Sequence, residues 1–313
     1  MLAHHPILVT GAPRSGTTWV GRMIGQAPFI RYIHEPFNIT SQLCQCGVKF
    51  DYWFYYLTPK SQLKFHPHLK HTIYPAFSRI GLLNSIFEIR RTKQVRPFFR
   101  YLQSYLFSRP VLKDPLALFS AEQLADSFNM DVVVLIRHPA AIISSYKTLN
   151  WTHPFSHFRN QSALLEDHLG PFRSEIEEFT KKEHDIVDQA ALLWKLIHFM
   201  ISKYQKTHPG WIFIRHKDLA LDPIIGFQKI FARLNLPFSK HACRVIQNHI
   251  VKEQLPNSTD PYAIKQNPRQ VITKWQKNLT SEEINRIRER VEEVSSAFYT
   301  DEDWNPEPVS NKW

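Results

Sequence analysis

The residues with the clearest chemical meaning lie in the segment from Gly11 to Trp19, which reads GAPRSGTTW. Four of the nine glycines of the chain fall within residues 11–25. A strand that turns through Gly11 and continues as a helix at Gly16 would direct several backbone N–H groups and the positive end of the helix toward one point. The segment therefore predicts a binding site for an anion such as a phosphate group.

The spacing of this segment, G-x-x-x-x-G-T-T, is that of a nucleotide-binding P-loop. Thr17 stands where the lysine of such a loop is expected, so the pattern does not indicate an ordinary nucleotide hydrolase. Arg14 lies inside the loop and could supply the positive charge instead. Taken alone, the segment also allows a structural glycine turn without a ligand.

A second pair of polar residues, Arg137 and Ser145, follows the apolar run 132–136. This run is typical of a parallel strand covered on both faces, and open α/β sheets bind ligands at the carboxyl ends of their strands. Pro139 suits the first position of a helix, which places Ser145 about two turns into it. The guanidinium and hydroxyl groups could then bind one phosphate. A surface ion pair and an ordinary helical serine would explain the two residues separately.

The elements that must position these residues alternate along the chain. The sequence pattern predicts strands at 7–10, 31–35, 132–136 and 211–215, and helices at 16–26, 139–149, 187–204 and 223–234, with a last helix starting at the Thr280/Glu283 capping box. This alternation predicts an α/β fold, a three-layer sandwich with a central parallel sheet and helices on both faces. Because no low-complexity linker interrupts the pattern, we expect a single domain over residues 1–313.

Positive charge is concentrated in one part of the chain. The whole chain has 39 Lys and Arg against 28 Asp and Glu, and residues 49–113 contain twelve of the former and two of the latter. The same segment is rich in aromatic residues, including Trp53, Tyr55 and Tyr56. It is either a solvated basic face or a surface that attracts an acidic acceptor or an anionic membrane. No nucleic-acid-binding motif occurs, so we do not expect a nucleic acid partner.

Composition excludes several other classes of protein. A hydrophobic content of 43% with three cysteines rules out a disordered tail and a disulfide-built scaffold. Cys44 and Cys46 lack a second pair at zinc spacing and are expected to be reduced thiols. The N-terminus shows no signal peptide, and no apolar stretch is long enough for a bilayer, so a cytoplasmic location is predicted.

Together these motifs resemble those of the sulfotransferases that use 3′-phosphoadenosine 5′-phosphosulfate. Segment 13–19 resembles the 5′-phosphosulfate loop of the family, and Arg137 with Ser145 resembles its 3′-phosphate motif. Segment 214–219 and Lys274-Trp275 are similar to two further family segments, so the matches extend from residue 7 to about residue 290. The resemblance implies the P-loop nucleotide-hydrolase-like sulfotransferase fold, a donor-binding core at about 5–40 and 130–290, an acceptor side at about 49–113, and no metal. The implied donor-binding residues are Arg14, Ser15, Gly16, Thr17, Thr18, Trp19, Arg137, Ser145, Arg215 and Lys274.

Two departures narrow the resemblance to one branch of the family. The loop has Arg14 where many small-molecule members have lysine. The Lys-Thr-His tripeptide that carries the catalytic histidine of the cytosolic phenol and steroid branch occurs here only as Lys206-Thr207-His208, at the end of the predicted helix 187–204, and not in the first half of the chain. Residues 34–38 instead resemble the Glu-Pro segment of the glycan-type and membrane-associated members, which implies that Glu35 is the catalytic base. A strand-end ion pair is the structural alternative for Glu35. His66, His68 and His71, in a stretch that we interpret as a loop, are the next candidates for the base.

The resemblance implies in-line transfer of a sulfuryl group to a hydroxyl or amine, with Glu35 as base and Arg14 at the leaving phosphate. The basic, aromatic segment favours an acidic saccharide or glycolipid as acceptor, with peripheral contact to an anionic membrane. Two alternatives stay open: a P-loop kinase or NTPase, and a catalytically inactive nucleotide- or membrane-binding protein of the same fold. The first would require the missing lysine and an acidic magnesium ligand after a strand, where this sequence has Arg137.

Overall fold

The computed structural model describes residues 5–40, 49–74, 108–251 and 270–305 of the 313-residue chain. Cys44, Cys46 and residues 75–107 of the basic segment lie outside the described residues. Within the described ranges, no helix combines the length and the apolar character needed to cross a lipid bilayer.

The described strands form one parallel sheet with the order β2-β3-β1-β4-β5. Their bounds are β1, Ile7–Gly11; β2, Ile30–His34; β3, Arg109–Lys113; β4, Asp131–Ile136; and β5, Ile212–Arg215. The predicted strand at 132–136 is confirmed as β4, an interior strand next to β1, which is the middle strand of the described sheet. The sequence pattern did not predict β3, which inserts between β1 and β2.

Apolar side chains cover both faces of the sheet. Leu8, Val132 and Val134 belong to one buried cluster, and Val9, Val133 and Leu135 belong to the other. Successive residues of a strand point to opposite faces, so the same strands contribute to both clusters. Each cluster is the packed core between one face of the sheet and the helices that cover it, which confirms the predicted three-layer α/β architecture.

The helices that shape the site follow the strands directly. The described α-helices, in chain order from α1 to α15, are Thr17–Ile24, Pro59–Ile73, Ala121–Phe128, Pro139–Leu149, Ser156–Arg159, Ser162–Leu164, Arg173–Lys181, Ile186–Thr207, His216–Leu221, Pro223–Arg233, Lys240–Val251, Gln270–Thr273, Trp275–Asn278, Ser281–Ser295 and Asp301–Trp304. Short 3-10 helices cover Pro115–Ser120 and Gly170–Phe172, and a π-helical turn covers Leu165–Leu169.

Local capping explains several of these bounds. Asp222 accepts a hydrogen bond from the Ile225 amide at the start of α10, and Thr280 forms the predicted capping box at the start of α14. Residues 59–73, by contrast, form α2 and not the loop that we expected. A capping box at Thr58, with proline at the next position, starts this helix, and Pro67 is accommodated inside it.

Because all described strands run parallel, their carboxyl ends meet at one edge of the sheet. From one side of the sheet to the other, this edge places Glu35 after β2, Lys113 at the end of β3, the 12–16 loop after β1, Arg137 after β4 and His216 after β5. The candidate site therefore lies across the whole width of the sheet.

Candidate active site

A cavity of about 830 Å³ opens at the carboxyl edge of the sheet. It is lined by the loop after β1, by residues that follow β2, β3, β4 and β5, and by segment 271–278. A volume of this size is within the range of small-molecule sites in proteins.

The loop between β1 and α1 adopts a backbone conformation that requires glycine at two positions. Gly11 has φ +141°, and a Cβ there would lie 2.4 Å from the carbonyl oxygen of Leu135. Gly16 has φ +100°, and no side chain caps the start of α1. Since the first amides of a helix have no acceptor within the helix, this end of α1 presents N–H groups and positive potential to the cavity beside Thr17 and Thr18.

Arg14 joins this loop to the second predicted motif. Its Nε donates a hydrogen bond of 3.0 Å to Oγ of Ser145 on α4, and its guanidinium lies 5.6 Å from the ring centroid of Trp151. The carbonyl oxygen of Arg14 accepts a hydrogen bond from Arg137. The two motifs, separated by more than a hundred residues in sequence, therefore form one site.

Arg137 lies half-buried at the end of β4 with its charge close to that of Arg14. Burial, together with the neighbouring charge of Arg14, lowers the pKa of Arg137 to about 10. The guanidinium is still protonated at neutral pH. Two like charges in a partly buried site are stabilised by bound anions, so this geometry favours a ligand with phosphate groups.

Ser15 and Trp19, both predicted to bind the donor, have different positions. Ser15 is fully buried and is not among the residues that line the cavity, and its amide donates a hydrogen bond to the carbonyl of Ala12. Trp19 lines the cavity and packs edge-on against Phe227 at 5.4 Å. In the part of the chain that the structure describes, the buried Nε1 of Trp19 has no hydrogen-bond partner.

Lys274 and Arg215, the donor-binding candidates from segments 274–275 and 214–219, also have different positions relative to the cavity. Lys274 lines the cavity, and its segment is attached to α4 because Asn278 donates a 3.2 Å hydrogen bond to Ser144. Arg215 instead binds the carboxylate of Asp218 with bonds of 2.9 and 3.0 Å and does not line the cavity. The structure therefore does not bring Arg215 to the candidate site.

Glu35 forms an ion pair with Lys113 at the strand ends and also lines the cavity. It lies just past β2 with φ +43° and a relative exposure of 4%. One carboxylate oxygen contacts the ammonium group of Lys113, and the other accepts a 2.9 Å hydrogen bond from Asn38. Lys113 is 1% exposed, and all three residues line the cavity.

Asp114 holds the backbone next to this pair. Its carboxylate accepts hydrogen bonds from the amides of Phe37, at 2.6 Å, and Leu116, at 2.9 Å. Burial raises the pKa of Asp114 to about 7, with a further contribution from the charge of Glu35. Asp114 therefore connects the segment after β2 to the end of β3 and fixes the position of Glu35.

Sequence reasoning missed Lys113, Asn38 and Trp151 as cavity residues. The signal for Lys113 was its place at the end of a strand, but Pro110 and the charged ends of β3 concealed that strand. His66, His68 and His71 lie on α2 and are not among the lining residues, so the structure does not place these alternative bases at the site.

The basic, aromatic segment is only partly at the site. Trp53 and Phe54 line the cavity, whereas Tyr55 and Tyr56 do not; the hydroxyl group of Tyr56 donates to Asp167 at 2.9 Å. The described lysines of residues 49–74 are likewise not among the lining residues.

A parallel sheet with a P-loop-like turn and an open helix terminus at its carboxyl edge defines a phosphate-binding type of α/β protein. A model of the sulfotransferase family matches residues 6–240 of the 313. The chain therefore belongs to the sulfotransferase family, whose activity is sulfuryl transfer.

Solved structures of sulfotransferases resemble the chain at low sequence identity. Sulfotransferase STF9 from Mycobacterium avium is 14% identical, with 96% of this chain and 78% of that chain covered and a TM-score of 0.45. The sulfotransferase domain of the Synechococcus PCC 7002 olefin synthase is 16% identical, with 96% and 98% covered and a TM-score of 0.47. Mouse sulfotransferase SULT7A1, complexed with PAP, is 12% identical, with 96% and 88% covered and a TM-score of 0.48. A search of curated proteins found no match.

Proposed function

We propose that this protein transfers a sulfuryl group from 3′-phosphoadenosine 5′-phosphosulfate to a hydroxyl or amine of a saccharide or glycolipid. One observation carries the proposal: Arg14, Arg137 and Ser145 converge beside the open N-terminus of α1, in the same cavity as the buried carboxylate of Glu35. The donor has two separate anionic groups, and the site offers separate positive groups for them.

The described residues fit this donor. The amides at the start of α1, with Arg14, Thr17 and Thr18, suit the 5′-phosphosulfate. Arg137 and Ser145 suit the 3′-phosphate, because a guanidinium and a hydroxyl both donate to phosphate oxygens. Lys274 adds a third positive charge at the cavity wall.

The chemistry needs a proton acceptor and a stabilised leaving group. The acceptor oxygen or nitrogen bonds to sulfur while the bond from sulfur to the bridging oxygen of the 5′-phosphate breaks. The acceptor proton passes to the carboxylate of Glu35, and Arg14 and the loop amides stabilise the charge that develops on the leaving phosphate. Each carboxylate oxygen has two lone pairs, so the contacts to Lys113 and Asn38 leave capacity for the proton.

The alternative functions have weaker support. For a kinase or NTPase, Thr17 replaces the loop lysine and β4 ends in Arg137 where an acidic magnesium ligand would be expected. An inactive binding protein of the same fold does not explain why Glu35 lines the same cavity as the arginines. The described lysines of residues 49–74 support an acidic acceptor and contact with an anionic membrane, but they lie outside the cavity. An acidic group of the acceptor would therefore bind to these lysines and not inside the cavity.

Ligand-induced thermal stabilisation tests the donor. The purified chain is heated with 3′-phosphoadenosine 5′-phosphate, with ATP and magnesium, or without ligand. A ligand at a hundred times its dissociation constant stabilises the native state by about 2.7 kcal/mol. We expect a clear rise in Tm with the bisphosphate and a smaller one with ATP. A larger rise with ATP and magnesium would contradict the proposal and favour the kinase alternative.

A further inference from the structure

We infer that the outer face of α2 docks on the headgroup layer of an anionic lipid bilayer. The outer face consists of the exposed residues of α2 and of the tyrosine that caps the helix, which are Pro59, Lys60, Leu63, Lys64, Pro67, His68, Lys70, His71 and Tyr74. The inference goes beyond the transfer reaction, and it rests on the proposed function only where it concerns the acceptor.

Burial divides α2 into two faces. Phe65, Leu69 and Ile73 are buried in the core cluster on one side of the sheet, and they recur every four residues, as expected of one face of a helix. On the opposite face, Leu63 is 80% exposed, and Tyr74 at the end of the helix is 45% exposed. The outer face therefore presents apolar side chains to solvent.

The outer face also carries positive charge that the helix does not neutralise. Lys60, Lys64 and Lys70 are exposed, and residues 52–87 contain no Asp or Glu, so no carboxylate stands three or four positions from any of these lysines. The sequence of residues 75–107 contains six Lys and Arg and one acidic residue, which adds charge of the same sign. A negatively charged lipid surface attracts basic residues that lie within a Debye length of it.

Leu63 favours a lipid surface over a soluble acidic partner. It lies three residues after Lys60 and directly before Lys64, so a surface that contacts the lysines also covers the leucine. A lipid interface accommodates both, because the leucine enters the boundary of the acyl chains while the ammonium groups stay among the headgroups. Tyr74 has the amphipathic ring that is enriched at membrane interfaces.

The type of basic residue points in the same direction. The three cations of the outer face are all lysines. Arginine is favoured where one carboxylate or phosphate is recognised by paired hydrogen bonds, whereas the ammonium group of lysine acts as a point charge. Lysines therefore suit the diffuse charge of a lipid surface better than the recognition of one acidic group on a soluble saccharide.

The outer face is formed before a membrane is bound, because both ends of α2 are fixed. Thr58 and Ser61 form the capping box at its first turn. At the other end, Arg31 of β2 donates hydrogen bonds to the carbonyl oxygens of Thr72, at 3.3 Å, and Ile73. A preformed face loses little conformational freedom on binding.

The buried face of α2 connects the helix to one end of the cavity. We call the end formed by the loop after β1 and the residues after β4 the donor end, and the end with Glu35 and Lys113 the acceptor end. The ring of Phe65 packs on Phe50 at 4.9 Å, and Phe50 stacks at 4.2 Å on Phe37, in the segment that directly follows Glu35. Docking through α2 would therefore bring an acceptor linked to a lipid headgroup close to the acceptor end.

Flotation of the full chain with lipid vesicles tests the inference. The vesicles consist of phosphatidylcholine alone or with about 30% phosphatidylserine, which gives the surface a negative potential. The variants are Lys60→Gln/Lys64→Gln, Leu63→Gln and Leu63→Met. All three positions are exposed, so we expect the variants to fold.

Matched controls change the same kinds of residue on the other side of the sheet. Lys229→Gln/Lys240→Gln removes two exposed lysines, from α10 and α11. Ile225→Gln removes an apolar side chain of α10 that is 48% exposed. These two helices pack in the core cluster that does not include α2.

We expect the wild type to bind the anionic vesicles at least about tenfold more tightly than the neutral ones, and about 0.5 M salt to remove most of this difference. One lysine near such a surface contributes about fivefold, so Lys60→Gln/Lys64→Gln should weaken binding about ten- to thirtyfold. Leu63→Gln should weaken it about three- to tenfold, and Leu63→Met should retain most of it. The controls should stay within about twofold of the wild type.

Three results with vesicles would overturn the inference: no binding, equal binding to anionic and neutral vesicles, or α2 variants that bind like the controls. Soluble dextran sulfate, tested with the same variants, separates a lipid surface from a soluble polyanion. If Lys60→Gln/Lys64→Gln loses affinity for both probes and Leu63→Gln loses it for neither, the outer face binds a soluble acidic partner and the inference is wrong.

Calorimetric binding of 3′-phosphoadenosine 5′-phosphate to the same samples separates this inference from the proposed function. The α2 variants should bind the bisphosphate like the wild type, because the substituted residues do not line the cavity. Absence of bisphosphate binding to the wild type would contradict the proposed donor. Normal bisphosphate binding together with a failed vesicle test would overturn only the membrane inference.

Discussion

Nε of Arg14 donates a 3.0 Å hydrogen bond to Oγ of Ser145, although 131 positions separate the two residues in sequence. This contact joins the loop after β1 to the helix after β4. A single anion-binding region results, which neither motif forms alone. The assignment of the two donor phosphates to this region leads directly to a first test.

Arg137→Ala should lower the affinity for 3′-phosphoadenosine 5′-phosphate about ten- to hundredfold. The variant loses a charge-assisted hydrogen bond to phosphate, which contributes about 1.5–3 kcal/mol. Isothermal calorimetry measures the change. Arg215→Ala is the matched control, because it removes the same charge from a residue that binds Asp218 outside the cavity. Equal losses in both variants would mean that overall charge, and not Arg137, determines affinity.

Glu35→Gln should lower turnover by about 10² to 10⁴ while donor binding persists, because the amide cannot accept the proton. The same change removes the ion pair between Glu35 and the buried Lys113, so the free energy of unfolding should fall by up to about 3–5 kcal/mol. Single-turnover kinetics with labelled donor and chemical denaturation measure the two effects separately.

The double variant Glu35→Gln/Lys113→Met separates chemistry from folding. It also removes the buried ammonium group that has lost the Glu35 carboxylate, so stability should recover substantially relative to Glu35→Gln, while turnover should stay low. Turnover of Glu35→Gln within about threefold of the wild type would exclude Glu35 as the base.

Gly16→Ala tests the loop conformation. Gly16 has φ +100°, and a Cβ would lie 2.8 Å from Cδ2 of the buried His216 ring. We expect a loss of about 1–2 kcal/mol in the free energy of unfolding and a roughly tenfold weaker affinity for the bisphosphate, because the loop amides shift. Gly210→Ala is the control, since no atom lies within 4 Å of its added Cβ. If the two variants behave alike in denaturation and calorimetry, the loop tolerates a side chain and the prediction is wrong.

The free energy of unfolding should depend on pH through the titration of Asp114. Burial raises the pKa of Asp114 from 3.8 to about 7, so between these values the native state holds the proton more tightly than the unfolded state. This contribution to stability is therefore present at pH 4 and lost as the pH rises to about 7. Unfolding of wild type and Asp114→Asn is compared from pH 4 to 8. The stability difference, wild type minus variant, should fall with rising pH; a constant or rising difference would contradict the assignment.

Much of the sheet and the donor end could be predicted from sequence because their signals are local. The glycine turn, the apolar run of β4 and the capping residues Asp222 and Thr280 each act within a few positions, and the elements they predicted are confirmed. The positions of Arg14, Arg137 and Ser145 followed from where strands end.

The acceptor end was less predictable because its contacts are not local. Pro110 hid β3, and with it the partner of Glu35. The prolines and histidines of residues 59–73 concealed the helical period of α2, so His66 and its neighbours were wrongly read as a loop. Trp151 reaches the cavity through a turn after α4 that carries no sequence pattern of its own.

The strand order also has a consequence for how the molecule folds. β3 pairs with β1 on one side and β2 on the other, so β1 and β2 are not hydrogen-bonded to each other. During synthesis, residues 7–34 emerge long before the strand that must sit between them. Closing so long a segment is entropically unfavourable and slows folding. The Glu35–Lys113 pair can therefore form only after residue 113 has left the ribosome.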